Sequence, residues 1–366
     1  MKTVDCLFPQ ICTFENLYHA AIVAHKGKKD STAMSHFHFH LESEVLQLRT
    51  ELEQKTYQPG NYTTFTIYDP KTRMISAAPY RDRVVHHALC RVIEPIFDKT
   101  FIYDSYANRI GKGTHKAIER YQVFAKKYPY VLKCDIRKFF PSIDHQILKQ
   151  AIYWKIICPD TRWLIDTIID HSNPQEPHVL YFPGDDLFTP HQRKRGLPIG
   201  NLTSQFWANV YMNSFDHYVK ETLQVKGYIR YVDDFVLFGD NRQQLRNWQQ
   251  KITGFLAGLR LVPHPSKTQI YRTDRGVPFL GFQVFPHYRY VRKEKIWRYK
   301  RHLRRQVNDL TPDTAENFVS GINSWLGHIR FGQSRRLESQ VFNYLCKKGL
   351  SLQYRPGGSW RLVEQQ

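Results

Sequence analysis

Cysteine is scarce in this chain of 366 residues, with six in all: Cys6, Cys12, Cys90, Cys134, Cys158 and Cys346. No two of them form a C-x-x-C pair, which argues against a zinc module or a disulfide frame and for reduced thiols in a cytoplasmic protein. Long apolar runs are missing too. None approaches the 18 residues of a membrane span, and Met1-Lys2-Thr3-Val4-Asp5-Cys6 offers no apolar signal core, so secretion is not expected. Acid is in deficit, with 33 Asp+Glu against 53 Lys+Arg and a formal charge of +20. A chain this basic most often serves a polyanion. It is not a disordered polycation, because 42% of its residues are hydrophobic and 14% aromatic, enough for a folded core. Its 22 Tyr and 23 Phe leave rings available to stack on bases. The length suits one large domain or two to three ordinary ones.

Residues 1–56 read as an N-terminal helical extension, with apolar residues three to four apart along Leu41–Leu52. Just before it, His36, His38 and His40 alternate with Phe37 and Phe39. If extended, the segment puts the histidines on one face, where they could hold a metal or pack at an edge. Tyr62–Tyr68, ending at Asp69-Pro70, and residues 73–79 read as strands. A helical pattern follows over Val84–Ile93 and stops at Pro95. The loop Ile110-Gly-Lys-Gly-Thr-His opens a helix but lacks P-loop spacing. Tyr130–Ile136 is a buried strand, 173–195 an exposed loop or hairpin, and Gly200–Lys220 a helix. Tyr228–Gly239 is a hairpin, and a helix follows over Asn241–Leu259. From 287 the composition shifts, with 16 Lys+Arg against 6 Asp+Glu. There Arg298, Arg301, Arg304 and Arg305 recur at helical spacing and suit phosphate contact.

Asp233 and Asp234 stand side by side between two apolar strands, and Asp135 ends another apolar strand. Alone, Asp-Asp at a hairpin reads as a solvated turn. Adjacent carboxylates repel, however, and a divalent cation relieves them. The blocks around them come in a telling order. They are Lys133-Cys-Asp135-Ile-Arg-Lys-Phe139-Phe140-Pro-Ser-Ile-Asp-His, Gly196-Leu-Pro-Ile-Gly-Asn-Leu-Thr-Ser204-Gln205, Tyr231-Val-Asp-Asp-Phe235, Lys267 and Phe279-Leu-Gly-Phe282. Over about residues 60 to 290 this resembles the palm of a reverse transcriptase, and Arg73–Arg83 resembles the family's fingers motif.

The resemblance implies an α+β fold, a right-hand polymerase with fingers and an antiparallel palm sheet backed by helices over 57–286. A small basic helical thumb would occupy 287–366. It implies an RNA-directed DNA polymerase in which Asp135, Asp233 and Asp234 are catalytic. With Ile136, they would hold two Mg²⁺ ions, for which Mn²⁺ can substitute. Arg73 and Arg81 match positions that grip the incoming triphosphate, Phe140 a steric gate against a ribose 2′-hydroxyl, and Lys267 a lysine near the carboxylates. Ile199 and Gln205 fall where the nucleotide is seated. Gly281 falls in a loop that supports the primer end, and Arg298, Arg301, Arg304 and Arg305 along primer and template. The partners implied are template RNA, primer or target DNA and dNTPs.

Many relatives read Pro-Gln-Gly and Ser-Pro where this chain has Pro198-Ile199-Gly200 and Ser204-Gln205. That pairing resembles the reverse transcriptases of diversity-generating retroelements, which copy a template RNA with errors at adenines and work with a small basic accessory variability protein. A retron, phage-defence or group II intron-like enzyme is the alternative, and an inert RNA-binding protein on a polymerase scaffold a more distant one. No ribonuclease H acidic set or endonuclease block follows the thumb, so RNA removal and target nicking are expected of other enzymes.

Overall fold

The computed structural model describes residues 3–27, 31–68, 71–173, 179–350, 352–354 and 358–362. Asp69-Pro70, the expected end of the first strand, and residues 174–178 of the 173–195 loop lie outside the described residues. The chain divides into two compact units. One comprises Met1–Gly113, Lys133–Leu237 and Gln243–Gln269, the other Thr114–Leu132, Phe238–Arg242 and Ile270–Gln366.

Among the described residues eleven strands are labelled in chain order. β1 (Thr63–Ile67) and β2 (Arg73–Ala77) form an antiparallel hairpin with Phe65 opposite Ile75. β3 (Tyr130–Asp135), β4 (Gly227–Tyr231), β5 (Asp234–Gly239) and β6 (Gln269–Arg272) form one sheet in the order β4-β5-β3-β6. β7 (Val277–Phe279), β8 (Phe282–Val284) and β9 (Arg289–Val291) make an antiparallel three-stranded sheet, and β10 (Leu352–Tyr354) pairs with β11 (Trp360–Leu362). Helices and antiparallel ladders are thus mixed in the α+β manner expected.

In the first unit, helices Phe14–His25 and Leu202–His217 both pack on Tyr80–Asp98. Asn16 ties two of them, donating from Nδ2 to the Ala88 carbonyl at 3.1 Å. Trp207, Tyr211 and Phe215 of helix Leu202–His217 are buried with Tyr228 of β4 and Phe235 of β5, and the Phe215 ring meets those two edge-on at 6.3 and 5.0 Å. In the second unit, Tyr121 of helix Thr114–Ala125 stacks on Phe279 with centroids 5.2 Å apart, and Tyr299 stacks on Trp325 at 3.4 Å. Among its described residues the longest helices are Lys293–Asn308, Pro312–Arg330 and Arg335–Lys347. Arg298, Arg301, Arg304 and Arg305 lie along the first of these, Arg301 over the Trp297 ring at 4.8 Å, with Leu303 buried.

Two local expectations are corrected. The alternating His-Phe segment is not extended. It is helix Thr32–Phe39, capped by Ser31 Oγ accepting from Met34 N–H at 3.3 Å. Helical spacing brings the His36 and His40 rings within 4.6 Å and sends His38 to the Tyr80 hydroxyl at 2.7 Å, so the three share no face. Pro95 does not end its helix, which runs on to Asp98. The proline is on the exposed side, where water can serve the Arg91 carbonyl that its missing N–H leaves free.

Candidate active site

β3 carries Asp135 at its last position, the β4–β5 turn carries Asp233, and Asp234 opens β5. Backbone bonds hold these ends together. Ile136 N–H donates to the Asp233 carbonyl at 3.2 Å, and His264 N–H to the Asp135 carbonyl at 2.7 Å. The turn itself is strained, since Val232 has φ +58°. A β-branched residue in the left-handed region costs on the order of 1–3 kcal/mol and persists only when its surroundings fix it.

The three carboxylates occupy a partly buried pocket of charge. Burial, and then the charge of Asp135, push the Asp233 carboxyl up to about 6. Burial pushes Asp234 up to about 7, opposed by Lys133 and reinforced by Asp233. Two lysines answer them, Lys267 Nζ donating to Asp135 Oδ1 at 2.6 Å and Lys133 Nζ standing 3.6 Å from Asp234 Oδ2. Asp234 Oδ1 is buried and has no hydrogen-bond partner. A buried, unpartnered carboxylate oxygen beside two more acids is a donor set in want of a cation. As the side chains stand, no group of three or more His, Cys, Asp or Glu is gathered tightly enough to hold a metal among the described residues. Lys267 already claims the Asp135 oxygen such a group would use.

Other expected residues fall into two sets. Exposed Arg73 opens β2 and is close enough to steady the Asp233 charge. Phe140 is half-buried four residues after Ile136 and packs edge-on against Phe139 at 5.4 Å. The Ile199 carbonyl accepts from Ser76 N–H of β2 at 3.2 Å, so the Pro198–Asn201 turn is tied to the strand bearing Arg73. Gln205 is exposed on helix Leu202–His217. Arg81 instead gives its guanidinium to Glu51 and lies over the Tyr57 ring at 5.8 Å. Gly281, with Arg298, Arg301, Arg304 and Arg305, belongs to the second unit. There Leu280 and Gly281, at φ +46° and +90°, make the sharp β7–β8 turn.

Two residues at the site escaped the sequence. Lys133 reads as the first residue of its block and as part of a strand, with no sign of its place beside Asp234. Arg230, fully buried and ion-paired with Asp216 at 2.7 Å, was hidden inside the apolar run of β4. Its signal was a lone charge in a strand that otherwise reads as core.

The reverse transcriptase (RNA-dependent DNA polymerase) family pattern matches residues 67–284. Protein YkfC of Escherichia coli strain K12 is 26% identical over 349 residues, which cover 84% of this chain and 86% of that protein. The group II intron-encoded protein LtrA of Lactococcus lactis subsp. cremoris is 23% identical over 216 residues, 58% of this chain and 33% of LtrA. A telomerase structure from Candida tropicalis, truncated from its C-terminal domain, aligns with a TM-score of 0.47 at 14% identity, over 69% of this chain and 60% of that one. The chain therefore spans about a third of LtrA's length. Among the described residues no helix is long and apolar enough to cross a membrane. With the family match covering more than half of its length, around an acidic strand-end cluster, the chain belongs to the reverse transcriptases and is an RNA-directed DNA polymerase.

Proposed function

We propose that Asp135, Asp233 and Asp234, with the backbone at Ile136, hold two Mg²⁺ ions, or Mn²⁺ in their place, and join dNTPs to a primer on a template RNA. The observation that carries this is the buried, unpartnered Asp234 Oδ1 beside Asp233 and Asp135, with burial and the neighbouring acids pushing Asp233 up to about 6 and Asp234 up to about 7. When bound, the ions would neutralise the triphosphate and activate the primer hydroxyl. The chain's own residues do the positioning. Arg73 offers a guanidinium fork to the triphosphate oxygens. Phe140 bars a ribose 2′-hydroxyl by bulk. Lys267, once it gives up Asp135, would donate a proton to the leaving pyrophosphate. Arg81 joins the triphosphate only by releasing Glu51. Gly281 supports the primer end, while Arg298, Arg301, Arg304 and Arg305 grip the duplex backbone. Asp233→Asn keeps the shape and removes one charge, so primer extension on an RNA template should fall by orders of magnitude. Undiminished extension by that variant would refute the assignment.

The finer proposal is error-prone copying for targeted gene diversification, supported by Ile199-Gly200 and Ser204-Gln205 in the nucleotide-seating block. Isoleucine offers the incoming nucleotide no hydrogen bond where a glutamine could offer two kinds. A small basic accessory protein would complete the system, and two polycations need RNA between them to associate. Co-purification that nuclease treatment abolishes is the expected result. A specific observation favours a second reading, intron-like cDNA synthesis: LtrA and a protein in the Schizosaccharomyces pombe cob intron, 22% identical over 293 residues, are both relatives. Sequencing cDNA made on one defined RNA separates the two. Errors concentrated at template adenines belong to the first reading, and an even, low error spectrum belongs to the second.

A further inference from the structure

The β4–β5 turn presents Asp233 through a residue, Val232, whose left-handed φ of +58° no β-branched side chain favours. Something has to hold it there. Arg230, two residues back, has no exposed side-chain surface and uses every donor of its guanidinium. Nε donates to Asp216 Oδ1 at 2.8 Å and Nη2 to Asp216 Oδ2 at 2.7 Å. Nη2 also reaches Ser105 Oγ at 3.2 Å, and Nη1 reaches Asn209 Oδ1 at 3.1 Å. The last bond goes to the Val232 carbonyl, from Nη1 at 3.2 Å.

The acceptors come from three directions. Asn209 and Asp216 are seven residues apart on helix Leu202–His217 and so share a face, on which Tyr228 also donates to Asp216 Oδ1 at 2.7 Å. Ser105 belongs to a loop that flanks β4, where Arg230 N–H donates to the Asp104 carbonyl and Tyr106 N–H to the Arg230 carbonyl, both at 3.0 Å. The guanidinium is therefore immobile, and the carbonyl it holds is one bond from the Asp233 nitrogen. A lysine has no fork and could not serve helix, loop and turn together.

We propose that Arg230 is a positioning residue. From a charge-neutral pair with Asp216, it fixes the Val232–Asp233 peptide so that the strained turn aims its carboxylates at the metal ions. This rests on the two-metal reading above and extends it to a residue that touches neither metal nor substrate. Residues that orient ligands in this way typically change metal affinity ten- to a hundredfold when lost.

Removing one partner alone would bury an orphan charge and threaten the fold, so the test removes both. The full chain carrying Arg230→Met with Asp216→Leu is compared with wild type, with Arg230→Lys and with Asp233→Asn. Mn²⁺ binding is followed by electron paramagnetic resonance, and folding by circular dichroism. The double variant and Arg230→Lys should stay folded and bind Mn²⁺ ten- to a hundredfold more weakly. Mn²⁺ affinity within twofold of wild type in either folded variant, while Asp233→Asn loses binding, would overturn the clamp and leave the metal site standing. Unchanged binding by Asp233→Asn would overturn the metal site and the clamp with it. Should the double variant unfold, Arg230→Lys decides, because it keeps a charge opposite Asp216 and forfeits the fork that reaches Asn209, Ser105 and the Val232 carbonyl.

Discussion

An aspartate held near neutrality inside a folded chain works against folding, and the sign of that effect can be measured. Free aspartate titrates near 3.9, whereas Asp233 and Asp234 are held up to about 6 and about 7. Below pH 4 both states are protonated and the pair is neutral to stability. As pH rises through 4 to 7 the unfolded chain ionises freely while the folded one resists, so this pair's contribution to stability falls. In the chelator-treated protein, Asp234→Asn and wild type should therefore melt alike near pH 4, with the variant increasingly more stable towards pH 8. Mg²⁺ should raise the wild-type melting temperature at pH 8 and leave the variant's unmoved. Parallel melting curves across that range would contradict the account. A second residue-scale prediction concerns Ile199. With Ile199→Gln, misincorporation opposite template adenines should drop by roughly ten- to a hundredfold, the worth of one good polar contact. Sequencing the products per template base measures it, and an unchanged spectrum would assign infidelity elsewhere. At this scale the acids were legible through the ordered blocks around them, since Asp-Asp at a hairpin alone reads as a solvated turn. Arg230 was not, because its side-chain acceptors lie 14 to 125 residues away in sequence, where no pattern connects them.

At the scale of elements, the Pro198–Asn201 turn couples the block proposed to seat the nucleotide to β2. Gly200 has φ +118°, where a Cβ would stand 3.1 Å from Ile75 Cγ2. With the Ser76 N–H bond to Ile199, this fixes the turn against the strand that begins at Arg73. Gly200→Ala introduces strain of about 1–3 kcal/mol that the turn can relieve only by shifting away from β2. Steady-state kinetics should show the dNTP KM rising about tenfold, with kcat changed far less. An equal fall in kcat at unchanged KM would place the turn's role in chemistry instead. Strand and helix periods made most elements readable, including β3 and the β4–β5 hairpin. The His36–His40 segment misled because period two in five residues also fits a helix, and Ser31, which caps one, settled the matter locally. Pro95 misled because tertiary packing on two neighbouring helices outweighs one missing hydrogen bond on an exposed face.

For the whole molecule the governing quantity is charge. The net +20 is unevenly spread, since residues 287–366 hold 16 Lys+Arg against 6 Asp+Glu. Binding to a polyanion by such a surface releases counterions, and the logarithm of affinity falls with the logarithm of salt by about 0.7 to 0.9 per phosphate neutralised. Arg298, Arg301, Arg304 and Arg305 rise at helical spacing on Lys293–Asn308, where Trp297 is 64% exposed and able to stack. If they grip the backbone of a primer–template, replacing all four with Gln should lower the salt slope by about 3. Affinity should weaken to a similar degree for every template sequence, since phosphate contacts carry no base information. The dNTP KM should stay within twofold, because the residues proposed to bind dNTP lie in the other compact unit. Fluorescence anisotropy over a series of salt concentrations, on two templates of unrelated sequence, reads the slope and the sequence independence together. A slope unchanged within 0.5 would mean that these arginines are solvated and that other cations carry the nucleic acid. A loss confined to one template would instead make the helix a reader of sequence, contrary to the backbone grip proposed.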